Sequence, residues 1–195
     1  MNAEDALQCL LEGNRRYVAN KSIDLNESER RRIEVAQGQK PFATILGCVD
    51  SRVPPELIFD RGLGDLFVIR TAGQVLDKAV LGSLEFGVAE LEIPVLMVLG
   101  HERCGVVKAA IDAVEKQTIA EAEIEYLVEA LSPAVEQAKS QAGDLWENAV
   151  RANIEMLVSR LKQSPILATA VQNGKLKVVG ARYDLDCGAV AIIIE

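Results

Sequence analysis

Apolar residues recur with two different periods along the chain. In residues 3–19 they fall at helical spacing, and a charged second helix is predicted over residues 27–37. From Pro41 onward, short apolar runs alternate with segments of helical spacing. We therefore expect a helical arm over residues 1–40 and an α/β core over residues 41–195.

Three apolar runs in the core have the length of buried strands: residues 42–47, 66–69 and 95–99. A segment of helical spacing, residues 79–91, separates the second run from the third. Strands that alternate with helices favour a mainly parallel central sheet flanked by helices on both faces. The fold class predicted for the core is therefore α/β.

The second half of the core is predicted to be helical and then to end in two strands. Residues 115–162 show helical spacing throughout, with a break at residues 142–144 that divides two helices. Residues 175–183 and 189–194 are typical of strands, and the residues between them favour a turn. We expect a C-terminal strand hairpin.

Size and charge narrow the classes of function. At 195 residues and 49% hydrophobic content, the chain has material for one well-filled core, so we expect a single domain over residues 1–195. A net charge of −8 would repel phosphate backbones, which argues against nucleic acid as a partner. The apolar runs are of strand length and the first residues are acidic, so we expect no membrane partner and a cytoplasmic location.

Two short polar motifs follow predicted strands and carry candidate metal ligands. Cys48 comes after the first apolar run of the core, and His101 and Cys104 come after the third. Ligand sites of open α/β sheets assemble at the carboxyl ends of the strands, so both motifs can face one crevice. Two thiolates and one imidazole are the ligand set of an open zinc site, whose fourth position is left for water or substrate. The sequence therefore predicts a zinc site of this kind.

A carboxylate and a cation lie next to the first candidate ligand. If the chain stays extended past Cys48, Asp50 and Arg52 point to the same side as the ligand. Asp50 can bind the metal as a fourth ligand and close the site, or pair with Arg52 and accept a hydrogen bond from a zinc-bound hydroxide. The bidentate geometry of arginine favours the second arrangement. Because two thiolates cancel the charge of zinc, bound water should be less acidic than in a three-histidine site, and activity should rise above neutral pH.

These motifs resemble those of the β-class carbonic anhydrases. The similarity lies in residues 48–52 (Cys-Val-Asp-Ser-Arg) and 101–104 (His-Glu-Arg-Cys), and it extends to residues 64–70 and 81–86. It runs from about the first helix to about residue 186. The resemblance implies an enzyme that interconverts carbon dioxide and bicarbonate.

The resemblance also implies a role for each motif residue. Cys48, His101 and Cys104 would hold one zinc ion per subunit, and Asp50 with Arg52 would form the catalytic dyad. Substrate-pocket positions of the family are matched by three further residues: Gln39, Phe67 and Phe86. In the family such residues come from the neighbouring subunit, which implies a homodimer or a larger assembly of dimers.

Several positions depart from patterns within the family. Phe86 stands where plant relatives carry a tyrosine, and Thr71 and Gln74 replace asparagines. One subgroup is inhibited by bicarbonate bound to a tryptophan, an arginine and a tyrosine, which this chain matches with Ile45, Arg70 and Tyr183. Because the tryptophan is missing, we expect no such regulation, and we expect Asp50 to pair with Arg52 in the resting enzyme.

Two other functions fit parts of the same pattern. Carbon disulfide or carbonyl sulfide could be hydrolysed by equivalent chemistry on the same scaffold. A non-catalytic protein could use Cys48 and Cys104 for a structural metal or a redox-sensing disulfide. The charged pair of Asp50 and Arg52 argues against the second alternative, since a closed structural site has no use for it.

His101 is the only histidine, so proton transfer to bulk water would depend on water, carboxylates or buffer.

Overall fold

The computed structural model describes residues 1–23 and 29–195. Within these residues a five-stranded sheet is flanked by helices on both faces. The strands are β1 (Ala43–Cys48), β2 (Leu66–Thr71), β3 (Val95–His101), β4 (Lys177–Tyr183) and β5 (Val190–Ile194). The helices are α1 (Ala3–Val18), α2 (Glu29–Val35), α3 (Pro55–Ile58), α4 (Lys78–Ala89), α5 (Gly105–Lys116), α6 (Ile124–Ala138), α7 (Leu145–Leu161) and α8 (Pro165–Gln172).

The strand order is β2-β1-β3-β4-β5, and only the last pairing is antiparallel. From β1 the chain first adds a strand on one side and then crosses to β3 on the other. The order of the strands therefore reverses between β1 and β3, and in sheets of this kind a crevice opens there at the carboxyl ends of the strands. The predicted mainly parallel sheet and the C-terminal hairpin are both confirmed.

Both faces of the central strands are covered, which explains why their sequences are continuously apolar. Every residue of β1 and of β3 is buried. One face packs against α4 to α8, with Leu46, Leu96 and Val98 in the core. The opposite face packs against α1 and α3, with Ile45 and Met97 in the core. A strand that is buried on both faces has no polar side to show, so it lacks the period-2 alternation of a half-exposed strand.

The predicted N-terminal helix packs against the core through its apolar stripe. Asn2 caps α1 by accepting a hydrogen bond from the amide of Asp5 (2.8 Å), and Leu7 and Leu10 are buried. Further along the same helix, the buried amide of Asn14 donates to the backbone carbonyls of Ile58, the last residue of α3, and of Gly188 in the turn before β5. The arm is thereby tied to the core by polar as well as apolar contacts.

Three secondary-structure predictions need correction. Residues 117–123 are a loop and not helix, because α5 ends where Gln117 adopts a left-handed conformation (φ 51°). Helix α8 was not predicted, although Ser164 caps it and a proline occupies its first turn. The helix predicted over residues 27–37 is shorter, and residues 27 and 28 lie outside the described part of the chain.

Among the described residues, no helix combines the length and apolar character needed to span a bilayer.

Candidate metal centre

Three candidate ligands converge at the reversal point of the sheet. Cys48 is the last residue of β1, His101 is the last residue of β3, and Cys104 directly precedes α5. Their ligand atoms all lie within 4.8 Å of one another, and the two sulfur atoms are 3.9 Å apart. All three residues are buried, with relative exposures of 4%, 0% and 3%. The sequence-predicted ligand set is therefore brought together beneath the surface.

The imidazole ring of His101 is oriented by the backbone of the next residue. Nδ1 of His101 lies 2.8 Å from the carbonyl oxygen of Glu102, so a proton on this nitrogen would be donated to that carbonyl. The lone pair of Nε2 then faces the two sulfur atoms. Nε2 is buried and has no hydrogen-bond partner among the described residues. A buried nitrogen without a partner, next to two thiols, fits a site that holds a metal ion.

The two sulfur atoms interact closely enough to share a proton. The hydrogen bond from Cys104 lowers the pKa of Cys48 to about 4, against the opposing effect of burial. The same contact, together with burial, raises the pKa of Cys104. The backbone amides of Val106 and Val107, at the start of α5, act in the opposite direction and lower the pKa of Cys104. A divalent cation would replace the shared proton and bind both thiolates.

The carboxylate and arginine form a bidentate pair at the mouth of the cluster. Arg52 donates from Nε to Oδ1 of Asp50 (2.9 Å) and from Nη2 to Oδ2 (2.8 Å). These hydrogen bonds from the Arg52 side chain lower the pKa of Asp50 to about 2. Oδ2 of Asp50 also lies 3.9 Å from Nε2 of His101. The carboxylate is thus charged, held by its cation and adjacent to the ligand atoms.

The backbone reaches this arrangement by a turn and not by the extended chain that we expected beyond Cys48. The amide of Val53 donates to the carbonyl of Asp50 (3.0 Å), and the amide of Arg52 donates to the Asp50 side chain (3.0 Å). An aspartate that accepts from the backbone two residues ahead favours such a turn. The pairing of Asp50 with Arg52 agrees with the sequence analysis, but the alternation argument behind it was wrong.

Two residues that the sequence analysis did not assign to this site hold the ligand segments. Arg70 donates to the carbonyls of Cys48 (2.8 Å) and Asp50 (2.7 Å), and the indole of Trp146 donates to the carbonyl of Cys104 (3.0 Å). The parallel register places Arg70 beside Gly47, so strand pairing was the information that could have revealed its role. Trp146 lies on α7, and no local pattern in the sequence points to its contact.

The three predicted pocket residues do not reach the cluster within this chain. Gln39 is exposed and precedes β1, whose six residues separate it from the metal end by about 20 Å. Phe67 is partly buried near the start of the edge strand β2, and Phe86 is 49% exposed on α4. At two of the positions matched to the inhibitory bicarbonate site, Ile45 is fully buried and Tyr183 pairs with the hydroxyl of another tyrosine.

The fold and this cluster define a class: α/β proteins with a Cys-His-Cys cluster that could hold a metal ion at the reversal point of a mainly parallel sheet. The sequence profile of the family described as carbonic anhydrase matches residues 43–190. The chain belongs to the β-class carbonic anhydrase family, whose members are enzymes of the lyase class.

Relatives resemble the chain over nearly its whole length. Carbonic anhydrase 2 of Mycobacterium tuberculosis is 40% identical over 195 residues, which cover 98% of this chain and 93% of the relative. The carbonic anhydrase of Mycolicibacterium smegmatis is 35% identical, with the same shares covered. Among solved structures, the Coccomyxa β-carbonic anhydrase in complex with acetazolamide superposes with a TM-score of 0.78 at 29% identity, covering 97% of this chain and 86% of that one.

Proposed function

We propose that this protein catalyses the reversible hydration of carbon dioxide to bicarbonate and a proton, with one zinc ion per chain. The observation that carries the proposal is the buried cluster of Cys48, His101 and Cys104, beside which a charged carboxylate is held by an arginine. Membership of the β-class carbonic anhydrases supports the same reaction. A structural metal site would gain nothing from a charged dyad at its mouth.

Zinc fits the donor set that the chain provides. Thiolate and imidazole ligands suit zinc better than they suit magnesium or calcium, which prefer oxygen. Zinc in such a site supplies Lewis acidity that lowers the pKa of water enough for water to act as a nucleophile. Cys48, His101 and Cys104 would hold the metal with three ligands and would leave it able to take up one further group for the reaction.

Asp50 and Arg52 orient the attacking oxygen in this proposal. With both carboxylate oxygens hydrogen-bonded to Arg52, Asp50 is held as an anion and keeps a lone pair for a further hydrogen bond. An oxygen nucleophile that donates its proton to Oδ2 of Asp50 turns its own lone pair toward carbon dioxide. Arg52 is 55% exposed, so the dyad lies where substrate enters.

Proton release has no histidine to depend on. His101 is the only histidine of the chain, and both of its nitrogens are committed in the proposed site. Water, carboxylates or buffer must therefore carry the proton to bulk solvent. We expect the turnover rate to increase with buffer concentration, and a rate independent of buffer would contradict this route.

A second copy of the chain completes the substrate pocket in our proposal. Gln39 and Phe86 are exposed, and among the residues that the structure describes β2 is hydrogen-bonded to a strand on one side only, so this edge is open to another subunit in our proposal. The family resemblance implies that Gln39, Phe67 and Phe86 line the pocket of the partner. Solved relatives include two proteins described as tetrameric β-carbonic anhydrases from Sordaria macrospora.

The test is stopped-flow carbon dioxide hydration across pH, with zinc measured on the same sample. We expect about one zinc per chain and a rate far above the uncatalysed reaction. A fully zinc-loaded protein without activity at alkaline pH would contradict the proposal. Carbonyl sulfide hydrolysis that is faster than carbon dioxide hydration would also contradict it.

A further inference from the structure

We propose that Asn153 and Gln74 are positioning residues for the metal ligand Cys48, and that they act through the backbone of Gly73. The inference rests on the proposed function, because it concerns the zinc site. It assigns a role to a polar pair that is remote from the dyad and that lies on α7 and in the turn after β2.

The contact with the ligand is made by a backbone amide. The N–H of Gly73 donates to the sulfur of Cys48, with nitrogen and sulfur 3.4 Å apart. Gly73 belongs to a short 3-10 turn, Ala72–Gln74, that directly follows β2. A hydrogen bond to a metal-bound thiolate fixes its position and reduces the charge that it donates to the metal.

This turn has a backbone conformation that needs support. Gly73 and Gln74 both have positive φ, 63° and 57°. The left-handed region is uncommon for a residue with a side chain, so Gln74 is held in it by its surroundings. At Gly73 a Cβ atom would lie 2.6 Å from Val106 and 3.0 Å from Leu131, so only glycine fits between the sheet and the helices α5 and α6.

Asn153 and Gln74 provide that support through buried amides. Nδ2 of Asn153 donates to the carbonyl of Gly73 (3.0 Å) and to Oε1 of Gln74 (3.4 Å). Nε2 of Gln74 donates in turn to the carbonyl of Leu99 (2.9 Å), two residues before His101 in β3. The two side chains are only 6% and 2% exposed. The pair therefore connects the turn that touches one ligand to the strand that carries another.

Helix α7 supports the second cysteine as well. Trp146 lies seven residues before Asn153 and hence on the same face of the helix, and its indole donates to the carbonyl of Cys104. One helix thus contacts the backbone next to each thiolate ligand. Packing alone would not require a hydrogen-bond donor at either contact. Trp146 nevertheless provides an indole N–H at one contact, and Asn153 provides an amide at the other.

The test compares Asn153→Leu with Asn14→Leu. Asn14 is the control because it is similarly buried (4% exposed) and holds three backbone groups, the carbonyls of Ile58 and Gly188 and the amide of Val190, none of which contacts Cys48, His101 or Cys104 in the hydrogen bonds of the described residues. Both variants should lose thermal stability. Only Asn153→Leu should release zinc faster to a chelator, with affinity reduced about 10- to 100-fold, and should shift the thiolate-to-metal absorption band of the cobalt-substituted protein.

An Asn153→Leu protein that is less stable but keeps the zinc affinity and cobalt spectrum of the parent would overturn the inference. If this variant does not fold, Gln74→Met provides the same comparison, because methionine has similar volume and cannot make either hydrogen bond. A shifted cobalt spectrum in that variant supports the inference, and an unchanged one overturns it. Failure of the proposed function is distinguishable, since it would appear in the parent protein itself, which would then bind no zinc or would bind zinc without hydrating carbon dioxide.

Discussion

The loop after β1 and the loop after β3 each contribute to the candidate metal centre, but they are held in place differently. The loop after β3 is tied to the C-terminal hairpin: Arg103 makes a bidentate ion pair with Asp186 (2.6 and 3.0 Å), and Glu102 accepts from Arg182 and from the amide of Leu185. It then leads directly into α5.

The loop after β1 depends on fewer external contacts. Arg70 holds two of its carbonyls, the amide of Gly73 reaches its cysteine, and the remaining order comes from the pairing of Asp50 with Arg52. The two loops therefore differ in what holds them in place and in what they present. The end of β3 and the loop after it present two candidate ligands held by several contacts, whereas the loop after β1 follows one candidate ligand and carries the charged pair that the proposed reaction requires to be accessible to substrate.

Removing a ligand of the β3 loop should have the largest effect. In Cys104→Ser we expect loss of zinc and a fall of carbon dioxide hydration to the uncatalysed rate, because a hydroxyl is a much poorer zinc ligand than a thiolate. Metal analysis and stopped-flow assays measure the two losses. Cys187→Ser is the control, since Cys187 is exposed in a turn and lies outside the cluster. An active, zinc-loaded Cys104→Ser protein would refute the assigned ligand set.

Changing the dyad should reduce activity without removing the metal. In Asp50→Asn we expect the turnover rate to fall about 100- to 10,000-fold, the usual range for a group that orients or transfers a proton in the transition state. Zinc content should stay at the parent level. The matched control is Asp186→Asn, which removes the same charge from an exposed ion pair of the β3 loop. If Asp50→Asn and Asp186→Asn reduced the turnover rate equally, the proposed functional difference between the two loops would be contradicted.

The pH dependence of the hydration rate should distinguish the ionisation of Asp50 from the ionisation of water at the metal. The pKa of Asp50 is lowered to about 2 by its hydrogen bonds with Arg52, so the ion pair contributes stability above the unfolded carboxyl value of about 3.9 and loses it only as pH falls through about 2. Asp50 is therefore charged throughout the neutral and alkaline range. We expect activity to increase from about pH 7 upward, because two thiolates make water at the metal less acidic than in a three-histidine site. A flat alkaline profile in stopped-flow assays would contradict this.

Smaller effects are expected from the residues that hold the two loops. Arg70→Met should lower the free energy of unfolding by roughly 1.5–3 kcal/mol, because two carbonyls lose a charged donor. Trp146→Phe, which removes one neutral hydrogen bond and replaces the indole with a smaller aromatic ring, should cost about 1 kcal/mol through the lost hydrogen bond. Urea denaturation of the zinc-loaded protein measures both. Lys108→Met breaks only a surface ion pair and should change stability by less than about 0.5 kcal/mol. If Trp146→Phe lowered the free energy of unfolding more than Arg70→Met does, the expected order of these two contacts would be contradicted.

The accuracy of the sequence analysis depended on the range of the interactions involved. The strands and α1 were predicted because apolar periodicity is a local consequence of burial. The candidate ligands were singled out because each motif lies at the end of an apolar run, and the structure brings these side chains together. Residues 117–123 were misassigned because they have apolar residues at helical spacing, while a left-handed Gln117 ends the preceding helix. The prediction of an extended path beyond Cys48 was wrong because the Asp50 side chain accepts a hydrogen bond from the backbone amide of Arg52 and so favours a turn.

The sequence by itself determined the α/β class, the family and the residue types of the metal centre, because these depend on local patterns and on two short motifs. Tertiary structure alone decided which remote groups support them. Arg70 reaches two carbonyls through strand register, and Asn153 reaches Gly73 across 80 residues of chain because α7 packs over the same end of the sheet. Such contacts are set by how layers pack, and a buried asparagine in a helix gives no local indication of the carbonyl to which it will donate.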